Sequence, residues 1–196
     1  MKISLKNVVG TLAIATIAVS LFGCSSPTVT HSDGSRVKLY SSLAELAKDS
    51  SAVVAVTVAS QIERPGSDSQ PPMTTSTVSI DMVRAPATLG AALTKLVPPQ
   101  LTSGGNIRVL QIGTKDSPGP APLVAVGGNY LLYLTPTMLA GAAADQFYIT
   151  GGTAGLYKSD APVGPTFKPS VESTYSKVSD DSDGTPKTAA LSEIAK

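Results

Sequence analysis

The chain has little of the side chains on which most protein chemistry depends. Its 196 residues include one cysteine, one histidine and no tryptophan. A single cysteine excludes an internal disulfide framework and a thiolate metal site. A single histidine, His31, leaves a serine triad or a histidine-rich metal site without the remaining members, and we expect it to be a solvated linker residue.

Aromatic and charged residues are also scarce. Six tyrosines and three phenylalanines are the only aromatic residues, so platforms for base stacking are poorly supplied. Lysine and arginine number 15 against 14 acidic residues, which provides no general electrostatic attraction to nucleic acid. The composition therefore predicts a protein without a nucleic-acid partner.

The N-terminus has the pattern of an export signal. Met1 to Lys6 carries two lysines and no acid, and an apolar run of about 14 residues extends from Val8 to Leu21. This run is shorter than the roughly 20 residues that a membrane-spanning helix needs. It ends in Leu21-Phe22-Gly23-Cys24, which resembles the lipobox of bacterial lipoproteins except that Phe22 replaces a smaller residue.

The resemblance to bacterial lipoproteins implies a lipid anchor on the only cysteine. In such proteins the cysteine sulfur receives a diacylglyceryl group and the signal peptide is cut immediately before it. Residues 1–23 are then the signal peptide, Cys24 is the lipidation site, and residues 24–36 form a lipidated tether. We expect a protein held on the extracytoplasmic face of the bacterial cell membrane. Each methylene of an acyl chain that is buried in the bilayer contributes about 0.8 kcal/mol to membrane binding.

The remaining pattern is that of a mainly β domain at residues 37–158. Ser42 and Glu45 have the spacing of a helix capping box, which predicts a short helix over Ser42–Lys48. Apolar or alternating runs, bounded by glycine and proline, predict strands. These runs are Ala52–Val58, Thr74–Val83, Ile107–Ile112, Leu123–Val126 with Tyr130–Leu134 as a hairpin, Phe147–Thr150 and Ala154–Tyr157.

The predicted fold is a small OB-like barrel or sandwich of five to six strands with one short N-terminal helix and long loops. Ala85–Pro99 is predicted to be a short helix or a loop. Residues 159–196 are rich in proline and serine, which predicts a C-terminal tail with at most a short helix at Leu191–Ala195.

Four segments in this order resemble the OB-like barrel of netrin-type domains and tissue inhibitors of metalloproteases. They are Ser51–Val58, Thr77–Val83, Ile107–Leu110 and Gly128–Leu134. The resemblance implies a fold and not the inhibitory mechanism, because those inhibitors chelate zinc through the free amine of a cysteine that would be acylated here. The order of elements is also similar to small exported Gram-positive proteins of undefined function.

Motifs that could carry chemistry are incomplete. Asp180-Asp181-Ser182-Asp183-Gly184 is similar to a calcium loop, but Ala190 occupies the position where a bidentate glutamate is needed, so a solvated turn is expected. Gly151–Gly155 lacks the lysine and helix of a phosphate-binding loop, which favours a bulged hairpin. Neither a catalytic residue nor a metal or cofactor site is predicted.

These patterns lead to a hypothesis of a non-enzymatic surface lipoprotein that binds a protein or an envelope component. The candidate contact surface is the pair of loops Gln61–Pro72 and Gly113–Pro122, because loops on a rigid scaffold commonly carry function. The alternative is a carrier that holds a small apolar ligand inside the barrel. An enzyme would require a pocket in which several of Asp81, Arg84, Glu63 and Lys115 converge.

Overall fold

A computed structural model describes residues 38–84, 101–143, 145–161, 168–179 and 183–194. The predicted signal peptide, Cys24 with its tether, and the predicted helix or loop at Ala85–Pro99 lie outside the described residues. The described part is mainly β, as predicted. It contains the strands β1 (Ala52–Arg64), β2 (Met73–Arg84), β3 (Asn106–Ile112), β4 (Asn129–Pro136), β5 (Gln146–Ile149), β6 (Leu156–Ser159), β7 (Thr174–Lys177) and β8 (Thr188–Ala190) and the helices α1 (Leu43–Lys48) and α2 (Leu191–Ile194).

Helix α1 begins with a variant of the predicted capping box. The Ser42 hydroxyl accepts a hydrogen bond from the Glu45 backbone N–H at 3.2 Å. The Glu45 carboxylate, however, accepts from the backbone N–H and hydroxyl of Ser41, at 2.9 and 2.7 Å. The return bond therefore reaches one residue further back than the capping box predicts, and it still satisfies a free N–H before the first turn.

Five strands pair in a closed cycle. Strand β1 is antiparallel to both β2 and β4, β2 is antiparallel to β3, and β5 joins β3 in parallel and β4 in antiparallel orientation. The order β1-β2-β3-β5-β4 thus returns to β1. We call these strands the five-strand ring. Strands β6, β7 and β8 extend the sheet from β4, because β6 pairs with the part of β4 that β5 leaves free.

The first half of strand β1, Ala52–Val58, is buried on both faces, as its near-continuous apolar sequence predicts. Ala52, Val54 and Val56 belong to an inner cluster shared by the ring strands, which also contains Phe147 and Leu156. Residues between them face an outer cluster, where Val53 and Ala55 pack with α1, α2 and the C-terminal strands. Two-sided burial explains why this strand lacks hydrophobic alternation.

The predicted alternation of β2 holds only for its first part. Ser76, Val78 and Ile80 are buried on one face as expected. A bulge against Ala55 and Val56 then shifts the register, so that Met82 packs on the outer cluster. Uninterrupted alternation along Thr74–Val83 predicts Met82 on the same face as Ile80. An extra residue in one strand reverses the faces of every residue beyond it.

The C-terminal region differs from the predicted tail. Strands β7 and β8 and helix α2 join the sheet beyond residue 158, which gives eight strands in the described part instead of five or six. Tyr175 and Ala189 are the buried residues of β7 and β8, and both lie in the outer cluster. Strands of three or four residues with one apolar side chain each produce no periodicity that a sequence pattern can reveal.

The ring has two ends with different neighbours. At one end Ala52 of β1 pairs with Leu134 of β4. Asp49, three residues before Ala52, forms a 2.7 Å ion pair with Lys38, the first described residue. We call this the helix end. Arg64 pairs with Met73 at the tip of the β1–β2 connection, which we call the hairpin end. The 13 residues of β1 separate the ends by about 40 Å along the strand.

Candidate functional site

The loop between β1 and β2 forms a tight turn at the hairpin end. Ser67 and Gln70 exchange backbone hydrogen bonds of 2.8 and 3.2 Å. A Cβ atom on Gly66 would lie 2.9 Å from the Pro72 ring, so the two sides of the turn pack closely. The rings of Pro65, Pro71 and Pro72 restrict the backbone of the turn further, because proline fixes its own φ. The long connection predicted from the sequence is therefore an ordered hairpin.

The loop after β3 lies against this hairpin. The Gly113 N–H donates to the Pro72 carbonyl at 2.7 Å, and the Thr74 hydroxyl donates to the Gly113 carbonyl at 2.7 Å. The Lys115 N–H donates to the Glu63 carboxylate at 3.1 Å. Two of these hydrogen bonds thus join the two loops that the sequence proposes as a contact surface, and the third joins the second loop to Thr74 in β2.

Two glycines permit the second loop to fold back on itself. Gly113 has a φ of 107°, which is outside the range of ordinary residues. A Cβ atom on Gly119 would lie 1.9 Å from the Ile112 carbonyl oxygen, a separation that no side chain allows. The backbone at Gly119 therefore touches the end of β3 directly. This close approach shapes the wall of the cleft described next.

A cleft lies between the two loops. It has a volume of about 880 Å³ and is open to solvent. A second cavity of about 750 Å³ continues along the loop after β3. Prolines and carboxylates dominate the walls of the first cavity, which include Pro65, Pro71, Pro72, Pro118, Glu63, Asp68 and Asp116. Lys115 lines the second cavity beside Glu63. We call both cavities together the loop cleft.

Two glutamine side chains hold the far wall of the loop cleft. Gln111, buried in β3, donates to the Pro122 carbonyl at 3.0 Å and accepts from the Val124 N–H at 3.1 Å. Gln61 donates to the Val124 carbonyl at 2.6 Å. The segment at 123–126 is held by these amides and is not a strand, so the predicted hairpin with Tyr130–Leu134 is wrong.

The four residues considered for an enzyme pocket do not converge. Glu63 and Lys115 meet in the loop cleft, as described above. Glu63 pairs with Thr74 of β2. Asp81 lies seven residues beyond Thr74 on the same strand, at a distance of about 23 Å along it. There it accepts a 2.9 Å hydrogen bond from Thr57, and burial raises the pKa of its carboxyl group. Arg84 lies further along the same strand.

The predicted solvated turn at Asp180–Gly184 is wrong for its described part. The Asp183 carboxylate is fully buried and forms an ion pair of 2.6 Å with Lys177, which is 4% exposed. It also accepts from the Thr185 N–H at 3.0 Å and from the Thr185 hydroxyl. The loop docks on the N-terminal segment through a 2.8 Å bond from the Gly184 N–H to the Tyr40 carbonyl. Sequence reasoning missed this buried ion pair because a run of acids usually lies in solvent.

The glycine segment at 151–155 is also different from its prediction. It forms a 3₁₀ helix at Gly152–Gly155 preceded by Gly151 at a φ of 65°, and not a bulged hairpin. Gly155 packs against the Thr150 carbonyl and the Tyr133 side chain. These glycines therefore allow close packing beside β4.

Neither a metal-binding cluster nor a helix that could span a membrane occurs in the described ranges. Within them, no three or more His, Cys, Asp or Glu side chains are grouped so as to hold a metal ion. Neither helix in these ranges has the length and apolarity to cross a bilayer. Cys24 and His31 lie outside them.

No protein-family model matches the chain, and no curated protein matches it.

Proposed function

We propose that the chain is a surface lipoprotein, anchored through acylated Cys24, that acts as a non-enzymatic binding module. The mature chain would begin at Cys24 and stay on the extracytoplasmic face of the membrane. Two acyl chains on one sulfur suffice for stable anchoring, whereas one chain is marginal. The partner would be a protein or another component of the cell envelope.

The observation that carries this proposal is the placement of the loop cleft. The first described residue, Lys38, binds Asp49 at the helix end, whereas the loop cleft lies at the hairpin end. A chain tethered through the residues before Lys38 would hold the helix end toward the lipid. The loop cleft would then face away from the membrane, where a partner can reach it.

The five-strand ring supports an OB-like barrel as the finer description of the fold. Its five pairings, with one parallel contact between β3 and β5, return to the first strand, as the strands of a small barrel do. Loops at one end of this architecture commonly bind ligands. The two loops of the cleft, joined by the hydrogen bonds at Gly113 and Lys115, would serve in that way.

The chemistry of the loop cleft favours recognition over catalysis. Proline rings offer rigid apolar walls, and Glu63, Asp68 and Asp116 add negative charge at their rim. Such a surface suits a partner that presents basic side chains on an extended segment. The loop cleft does not favour the alternative of a carrier for a small apolar ligand, because both of its parts are open to solvent and do not enclose a ligand.

Site-specific crosslinking in intact cells tests this function. A photoreactive residue at the exposed Ser69, in the wall of the loop cleft, should form one discrete adduct. The control carries the photoreactive residue in place of Lys158, which is exposed on β6 and is not part of the loop cleft. Asp68→Asn combined with Asp116→Asn should reduce the Ser69 adduct. Identical adducts at both positions, or none at Ser69, would contradict the proposal.

A further inference from the structure

The connection between β4 and β5 exposes apolar side chains at the helix end. Its residues from Thr137 to Ala143 include no charged side chain. Met138 is 66% exposed and Leu139 is 44% exposed, and Ala140 and Gly141 beside them are exposed as well. We call this segment, 137–143, the apolar loop. Isolated exposed apolar residues are ordinary, but two large ones at the tip of an uncharged loop form a patch.

The backbone holds Met138 in a conformation that its side chain disfavours. Its φ is 60°, the only positive φ of a non-glycine residue in the described part of the chain. The base of the loop is fixed, because the Thr137 N–H donates to the Gln146 carbonyl at 2.9 Å and Thr137 itself is buried. Strain of this kind persists where surrounding structure imposes it and is frequent at functional sites.

The apolar loop lies at the end of the molecule from which the N-terminal chain departs. The Thr135 hydroxyl, three residues before Met138, donates to the Asp49 carbonyl at 3.4 Å, and the Asp49 carboxylate binds Lys38 at 2.7 Å. Lys38 follows Cys24 by fourteen positions, so the covalent reach between the two residues is at most about 50 Å. An anchor at Cys24 therefore keeps the helix end within about 50 Å of the lipid, and chain connectivity makes it the end of the domain that joins the tether.

Charges near the apolar loop are compatible with an anionic surface. Asp49 and Glu45 are paired with Lys38, and Asp145 is paired with Arg108. Lys48, the last residue of α1, is exposed beside them. Each of these three acids thus has a cationic partner, whereas the carboxylates of the loop cleft gather at the other end.

We propose that the apolar loop inserts into the headgroup region of the bilayer that carries the anchor. The inference rests on the proposed anchoring of Cys24. Met138 and Leu139 enter the boundary between headgroups and acyl chains, and the loop fixes the orientation of the domain on the membrane. The loop cleft is thereby held away from the lipid surface. The tether alone attaches the helix end to the membrane without fixing the angle of the domain.

Fluorescent labelling of the full acylated chain tests this insertion. Acylation blocks Cys24, so a cysteine introduced by Leu139→Cys is the only free thiol to which an environment-sensitive dye can attach. Val171→Cys is the matched control, because Val171 is 45% exposed and Leu139 is 44% exposed. Val171 precedes β7, whose Tyr175 pairs with Ser159, away from the helix end. Both proteins are reconstituted into vesicles of phosphatidylglycerol and phosphatidylethanolamine that contain a lipid with a shallow quencher.

Quenching at position 139 should exceed quenching at position 171 by about twofold or more, since interfacial apolar residues lie about 5–10 Å into the boundary. A dye at Met138→Cys should behave like the dye at 139. Equal quenching at 139 and 171 in proteins that float with the vesicles would overturn the insertion and leave the anchor intact. Failure of wild type and both variants to float with vesicles would overturn the anchor, and the insertion with it.

Discussion

Replacing Asp183 by asparagine should destabilise the fold by about 3–5 kcal/mol, the range found when one member of a buried ion pair is removed. The Asp183 carboxylate is fully buried, and its contact with Lys177 is 2.6 Å long. Asparagine keeps the shape of the side chain and removes its charge. The Lys177 ammonium, only 4% exposed, then loses the compensating charge of Asp183. This loss is a large part of the roughly 5–15 kcal/mol that stabilises a typical domain.

Urea denaturation followed by far-ultraviolet circular dichroism measures this change. The midpoint should fall in Asp183→Asn with an unchanged slope, because the mutation alters stability and not the surface exposed on unfolding. The exposed pair of Arg108 and Asp145, with side chains 35% and 69% exposed, supplies the control. Asp145→Asn should cost less than about 1 kcal/mol, as exposed ion pairs do.

A second variant separates the charge effect from loss of packing. Lys177→Met together with Asp183→Asn removes both charges, so it should be more stable than Asp183→Asn alone. The reasoning is refuted if Asp183→Asn costs no more than the exposed control. It is equally refuted if adding Lys177→Met to Asp183→Asn lowers the free energy of unfolding as much as Lys177→Met does on its own.

Three further predictions concern other parts of the structure. Tyr175→Phe should raise the free energy of unfolding by about 1 kcal/mol, because its buried hydroxyl has no hydrogen-bond partner among the described residues. Burial raises the pKa of Tyr175 to about 12 from 10.0, so wild-type stability should fall as pH rises from 10 to 12, and the fall should be smaller in Tyr175→Phe; equal falls would contradict this. Gly119→Ala should cost about 2 kcal/mol or more in urea denaturation, because its Cβ meets the Ile112 carbonyl; an unchanged midpoint would refute the close approach. Hydrogen bonds from Ser41 lower the pKa of Glu45 to about 2, so thermal stability should fall as pH drops from 4.5 toward 2, and a Glu45→Gln variant that falls equally would contradict the cap.

The sequence predicted the fold best where burial is extensive. The apolar run at Ala52–Val58 correctly indicated a central strand covered on two faces. The end of β2 was mispredicted because a bulge depends on its partner strand and leaves no mark in hydrophobic periodicity. Strands β7 and β8 escaped prediction for another reason. Their pairing uses backbone groups, and each contributes a single buried residue, Tyr175 or Ala189.

The loops of the candidate site were identified from composition, but their contact was not. Proline and glycine marked both loops, yet nothing in the sequence pairs the Gly113 N–H with the Pro72 carbonyl. Gln111 was the available signal, because an amide on the buried face of a strand must find partners. It finds them in Pro122 and Val124, which form the far wall of the loop cleft. Asp183 was mispredicted because its burial depends on Lys177 and on docking against Tyr40.

The most direct test of the proposed function is the mass of the N-terminal peptide of the protein isolated from its native membrane. The interpretation predicts a peptide that begins at Cys24 and carries a diacylglyceryl group on its sulfur. An unmodified Cys24, or a chain that retains residues 1–23, would contradict the anchor on which the orientation of the loop cleft depends.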